Sequence, residues 1–173
     1  MLLRTASALA CVAILIFAQR VRSANENQSS SAPDKKAPAV QPLSPAQQAR
    51  FEAGKELYAV ICGACHQPHG NGQEGLAPPL ANSEWAIGSE ERLIRISLQG
   101  LRGPIKVGDK TYQMEMPALA ILEDEQIAAV LTYIRREWGN AAPPVDPKAV
   151  AKVRAETAKR EDAWTEAELL NIP

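Results

Sequence analysis

Cys62, Cys65 and His66 are the side chains of this sequence best placed to do chemistry together. They stand in one run, Cys62-Gly63-Ala64-Cys65-His66. Residues three and four apart on a helix share a face, so on a single helical turn two thiols and an imidazole all point at one flat object. C-x-x-C-H reads as a c-type haem attachment site. The thiols of Cys62 and Cys65 would add to the haem vinyl groups as thioethers, and the imidazole of His66 would bind the iron from one side. The main rival is a disulfide. Cys11 falls in an apolar leader, which leaves Cys62 and Cys65 as the pair; a disulfide, however, gives His66 no role. A zinc site built from Cys62, Cys65, His66 and His69 fits poorly, because structural zinc draws on two separated ligand pairs and these four residues are crowded together. His69 is read as a surface loop residue.

A second group lies downstream, in Met114-Glu115-Met116-Pro117, whose methionines are the only two besides Met1. A thioether is a soft iron ligand, and His/Met ligation raises a haem's reduction potential. The fixed φ of Pro117 would hold the segment that presents Met116. Met116 is preferred as the sixth ligand, with Met114 as the alternative; the bland reading is that both fill gaps in a core. Between the two groups runs Ala77-Pro78-Pro79-Leu80. An iron-bound histidine usually donates its other ring N–H to a carbonyl or carboxylate, and the backbone carbonyl of Pro78 is the expected acceptor. A plain rigid turn is the alternative there.

The elements that must position these residues are legible as helices. Ser44-Pro45 places an N-cap before a proline at the first helical position, and the helix should run to about Ile61 and deliver the pentapeptide at its end. Gly54 sits inside it. A mid-helix glycine costs about 1 kcal/mol relative to alanine, so it implies close approach of another element, with Tyr58 on the same face. Ser89 to Gln99 reads as a helix capped by Ser89, started by Glu90 and Glu91, faced by Leu93, Ile94 and Leu98, and ended by Gly100. Gly108-Asp109 between short β-favouring runs predicts a two-residue hairpin and the only sheet. Residues 123–138 form the clearest helix, with Ile127, Val130, Leu131, Ile134 and Trp138 at helical spacing. Arg135 and Arg136 end it and Gly139 fits the stop. This helix should cross the first one at Gly54.

Composition sets the remaining bounds. The 173 residues carry 19 basic and 20 acidic side chains, and no basic excess points to nucleic acid. Aromatic residues make up only 5%, so a buried haem plate would help a domain short of core. Residues 1–24 read as a secretory signal peptide: Arg4 is followed by an apolar run, Ala6 to Ala18, too short for a comfortable span of about 20 residues. Arg20 and Arg22 beyond that run keep an uncleaved membrane anchor as the alternative. Loss of the leader leaves 16 basic against 20 acidic residues. Residues 25–44 are rich in Ser, Ala, Pro, Asn and Gln and read as a flexible linker. Past residue 140, Ala141-Ala142-Pro143-Pro144 closes the domain. Asp146-Pro147 starts a charged helix to about Arg160, and Thr165 with Glu168 forms a capping box beside a Trp164–Leu169 hydrophobic staple. This tail, 141–173, either wraps the domain, docks on a partner through Trp164, or is a solvated extension.

Gly54, Tyr58, Cys62-x-x-Cys65-His66, Pro78-x-Leu80, Met116-Pro117 and the Val130–Tyr133 helix occur in this order. Together they resemble the class I cytochrome c family over about residues 45–140. The resemblance implies an all-α cytochrome c fold of three to four helices around one covalent haem c, with the small hairpin before the methionine and the helical tail as additions. It implies His66 and Met116 as axial ligands, and N- and C-terminal helices crossing at Gly54, Tyr58, Val130 and Tyr133. The Gly-Pro-Ile-x-Val segment before the methionine looks like a bacterial subgroup found beside or fused to periplasmic dehydrogenases and oxidases. The second methionine departs from the family pattern. No Ser/His/Asp set and no second metal cluster stands in the sequence. The expected function is therefore not catalysis of its own but electron transfer in the periplasm, with a dehydrogenase, oxidase or reductase as redox partner. The alternative is a haem enzyme or gas sensor with an open distal site.

Overall fold

A computed structural model describes residues 41–173 of the chain. The leader expected over 1–24, and all but the end of the linker expected over 25–44, lie outside the described residues. In chain order the elements are α1 (Pro45–Ile61), α2 (Gly63–His66), α3 (Glu84–Ile87), α4 (Glu90–Gln99), β1 (Ile105–Val107), β2 (Lys110–Tyr112), α5 (Asp124–Arg136), α6 (Pro147–Glu156) and α7 (Glu166–Leu170). The described residues are mostly helical, with one two-stranded antiparallel sheet among them.

Local chemistry sets each boundary. Ser44 accepts from the Gln47 amide, and the Gln47 side chain accepts from the Ser44 amide, so α1 opens on a complete capping box. At the start of α5 the Gln126 side chain accepts from the Glu123 amide at 2.9 Å. Ser89 caps α4 through the Arg92 amide. Gly108-Asp109 joins strands in the register Ile105–Tyr112 and Val107–Lys110, as the two-residue turn requires.

The core is organised by the crossing of α1 and α5. A Cβ built on Gly54 would overlap the Ala129 carbonyl and press on Tyr133 Cβ, so the two backbones meet where α1 has no side chain. Around that point Tyr133 packs against Phe51 and Tyr58, ring centroids 5.2 Å apart in each case. Such aromatic pairs are worth about 0.5–1.5 kcal/mol each beyond the area they bury.

Two elements differ from expectation. Helix α5 ends at Arg136 rather than at Trp138. Trp138 adopts a left-handed backbone, φ 53°, which turns its ring back onto Tyr58 at 5.1 Å and Tyr133 at 5.3 Å. Its indole N–H donates to the Pro68 carbonyl at 3.1 Å. Aromatic burial and this bond offset a backbone strain of about 1–2 kcal/mol. The apolar spacing that marked Trp138 as helical was real contact without helical continuation. Likewise α6 stops at Glu156, short of Arg160, where the Thr157 hydroxyl turns back to bond the Val153 carbonyl at 2.8 Å.

The tail is not a solvated extension. Val150 and Val153 of α6 are buried in the main core beside Leu93, Leu131 and Ile134. Leu169 of α7 is buried in a second cluster with Trp85, Ile96 and Leu101. The chain end is also tied down: the Ser89 hydroxyl donates to Pro173 O at 2.5 Å and Arg92 Nη2 to Ile172 O at 3.0 Å.

The α7 cap carries a pH signature. Glu168 accepts from the Thr165 amide and hydroxyl, each at 2.8 Å, and from Arg160 at 2.9 Å. These bonds, led by the Thr165 amide, hold its carboxyl at about 2, against an ordinary 4.5. A depressed carboxylate stabilises the fold above its unfolded pKa and loses that contribution as pH falls through the folded one. The α7 cap should therefore weaken only on acidification from about pH 4.5 toward 2. A carboxyl NMR titration of the reduced protein should place Glu168 near 2, and Thr165→Ala should return it toward the ordinary range. An unshifted Glu168 in the native protein would refute the assignment.

Candidate haem-binding cleft

The pentapeptide forms one turn at the end of α1. The Cys62 amide donates to the Tyr58 carbonyl at 2.9 Å, closing α1, and the Cys62 carbonyl accepts from Cys65 and His66 at 3.1 and 2.9 Å, opening α2. Gln67, with φ 63°, breaks the turn at once, and its carbonyl is pinned by the Tyr58 hydroxyl at 2.7 Å. Cys62 is half-buried, Cys65 is exposed, and the two are not bonded to each other. Burial, with Cys65 adjacent, pushes the Cys62 thiol up to about 11.

His66 is buried, and its Nδ1 lies 3.0 Å from the Pro78 carbonyl oxygen. A carbonyl only accepts, so Nδ1 carries the hydrogen and Nε2 keeps its lone pair. Burial lowers the His66 pKa, opposed by the bond to Pro78; the ring is thus held neutral, the state a metal ligand needs. Gly72 makes this contact possible. It has φ +66°, and a Cβ there would overlap the Ala77 and Pro78 carbonyls. The loop after His66 can therefore fold flat beneath the prolyl segment, an arrangement closed by Gly72 N–H to His66 O at 3.0 Å.

Above this turn opens an apolar cleft. Its walls are Leu93 and Ile96 of α4, Val130, Leu131 and Ile134 of α5, and Ile105 and Val107 of β1, with Trp85 beside them; Cys62, His66, Pro78 and Met116 also line it. An adjoining space is lined by Cys65, Tyr112, Met114 and again His66, Pro78 and Met116. The thiols thus border two halves of one apolar slot with His66 and Met116 common to both. That donor set and shape fit a flat apolar macrocycle joined through two sulfurs.

Met116 is half-buried, whereas Met114 is 56% exposed and borders only the outer half. Met116 is fixed by a pair of backbone bonds with Leu101, 2.9 and 3.0 Å. His69 is exposed, accepts from the Asn71 amide at 3.3 Å, and borders neither half.

A model of the family described as Cytochrome c matches residues 51–138. The chain belongs to the cytochrome c family. Cytochrome c-552 from Thermus thermophilus is 37% identical over 128 residues, covering 69% of this chain and 97% of that protein. The gluconate 2-dehydrogenase cytochrome c subunit of Pantoea cypripedii is 36% identical over 107 residues, 60% of this chain but 24% of that one. The fructose dehydrogenase cytochrome subunit of Gluconobacter japonicus is 34% identical over 113 residues, 59% of this chain and 22% of that subunit. The cofactor is accordingly covalently bound haem c with its iron, and the function is electron transfer.

Several residues that shape this cytochrome's cleft were not singled out from the sequence. Trp85 borders the slot with its indole N–H donated to the Lys106 carbonyl at 2.8 Å. Leu101 supplies the backbone pair for Met116, and Gly72 admits the Pro78 carbonyl. The cluster of glycines at 70, 72 and 75 beside two prolines was the available signal for Gly72. Nothing local to Leu101 marked it, since its partner lies fifteen residues away.

Proposed function

We propose that this cytochrome is an exported single-haem electron carrier, or the electron-accepting subunit of a dehydrogenase or oxidase complex, with His66 and Met116 as axial iron ligands. In this reading Cys62 and Cys65 form the thioethers and the Pro78 carbonyl fixes the plane of the His66 ring. The observation that carries it is the shared lining of one apolar cleft by Cys62, by Met116 and by a His66 whose Nδ1 is engaged by Pro78. Bound there, haem c supplies a one-electron Fe(II)/Fe(III) couple. The chain's own contribution is to hold a neutral imidazole and a thioether in place and to exclude water with the α4 and α5 walls. Export is supported by the leader read over 1–24 and by the need to make thioethers outside a reducing cytosol. Among the described residues no helix is long and apolar enough to cross a membrane, so anchoring would fall to the leader. Relatives named as dehydrogenase cytochrome subunits support a redox protein as partner, met through a small interface of under about 1,200 Å².

The test is spectroscopic. Met116→Ala should abolish the weak far-red methionine-to-iron band of the oxidised protein, and Met114→Ala should spare it. The reverse pattern would make Met114 the ligand. Rapid carbon monoxide binding by the reduced native protein would instead favour an open distal site, as in a haem enzyme or gas sensor.

A further inference from the structure

The segment from Met116 to α5 has little regular structure, and it is held from outside. At one end Arg154 of α6 staples it: Nη1 donates to the Ala120 carbonyl at 2.8 Å, Nη2 to the Leu122 carbonyl at 2.6 Å, and Nε pairs with Asp124 at 2.7 Å. At the other end three stretches of backbone lie side by side with Leu101 in the middle. Leu101 bonds Met116 on one side; on the other, Trp164 donates to the Gly100 carbonyl at 3.0 Å and accepts from the Arg102 amide at 2.8 Å. Trp164 is itself fixed, with its indole N–H on Gln99 at 3.2 Å and the Arg160 guanidinium 3.5 Å over its ring. Both anchors lie beyond residue 138, where the family match ends.

We propose that Arg154 and Trp164 are positioning residues for the sixth ligand: the C-terminal tail braces residues 116–122 and keeps the Met116 thioether in the cleft. This rests on Met116 being the ligand. Irregular surface segments open locally far more readily than a domain unfolds. A competing ligand binds in proportion to the opened fraction. These guanidinium-to-carbonyl bonds are exposed or only part-buried, and at about threefold each their joint loss should raise the opened fraction about tenfold.

Cyanide binding to the oxidised holoprotein reads that fraction, and amide exchange at Leu119 and Leu122 reads the segment without reference to the iron. The Leu119 amide is bonded to the Ser97 carbonyl at 2.9 Å and the Leu122 amide to the Leu119 carbonyl at 3.0 Å. Arg154→Ala should speed both processes about tenfold, and Trp164→Ala, which keeps the main-chain bonds and loses the indole contacts with Gln99 and Arg160, should speed both to a smaller extent. Val150→Ala removes buried tail volume and leaves the Arg154 bonds to Ala120 and Leu122 in place; it should lower the denaturation midpoint and leave both rates near the native values. Native rates in Arg154→Ala, or equal acceleration by Val150→Ala, would overturn the proposal. Persistence of the far-red band in Met116→Ala would instead remove the ligand assignment, and amide exchange would then still decide whether the brace exists.

Discussion

Gly54→Ala will destabilise the holoprotein by about 2 kcal/mol or more, although alanine is the better helix former by about 1 kcal/mol. The new methyl has no free volume, because its position coincides with the Ala129 carbonyl. A backbone atom cannot rotate aside as a side chain would, so α1 and α5 must separate. That separation unpacks Tyr58 from Tyr133 and moves the α5 wall of Val130, Leu131 and Ile134 that lines the cleft. The comparison is Gly63→Ala. There a Cβ would meet the Tyr58 carbonyl at 3.4 Å, ordinary contact, and stability should change by no more than about 0.5 kcal/mol. Denaturant midpoints with unchanged slopes would measure both. A Gly54→Ala protein as stable as the native one would mean that the helices do not meet there.

The contrast between these two glycines shows what a sequence reveals. Gly54 could be read because it violates a local rule: a residue that weakens α1 must be compensated by a neighbour. The same logic exposed the Ser44 cap, the Gly108-Asp109 turn and the Thr165–Glu168 box, all of which are written within a few residues of one another. Cys62, Cys65 and His66 were legible for a similar reason, since one helical turn brings them together. What could not be read were arrangements made by distant backbone. Leu101 meets Met116 and Trp164 through main-chain bonds that any residue could make. Arg154 was one charge among several on a weakly amphipathic helix, and nothing near it in sequence named Ala120 and Leu122 as its acceptors. Trp138 had the right spacing for α5 and left the helix because Tyr58 and Pro68, some seventy to eighty residues earlier, drew its ring away.

Arg135 gives the strongest example and the second large effect. Its place in the last turn of α5 made it look like a charge complementing the helix C-terminus. In the fold it is 3% exposed, with Nε donated to the Pro143 carbonyl at 2.9 Å and Nη1 to the Ala86 and Gly88 carbonyls at 3.0 and 3.1 Å. It thereby ties the end of α3 and the start of the tail to α5. Arg135→Met keeps the aliphatic stem but strands these acceptors, at about 1–3 kcal/mol for each one buried, so a loss of roughly 3–5 kcal/mol is expected at pH 7. Part of that loss should depend on pH through Glu90. Burial raises the Glu90 carboxyl pKa and the nearby Arg135 guanidinium opposes the rise. Without Arg135 the rise grows. A carboxyl raised above its unfolded pKa of 4.5 favours the fold while protonated, and that contribution disappears as pH climbs through the folded value. The deficit of Arg135→Met should therefore be smaller at pH 4 than at pH 7, and adding Glu90→Gln should recover the difference at neutral pH. A deficit equal at both pH values would uncouple Glu90 from Arg135 and leave the three carbonyls as the whole of the effect.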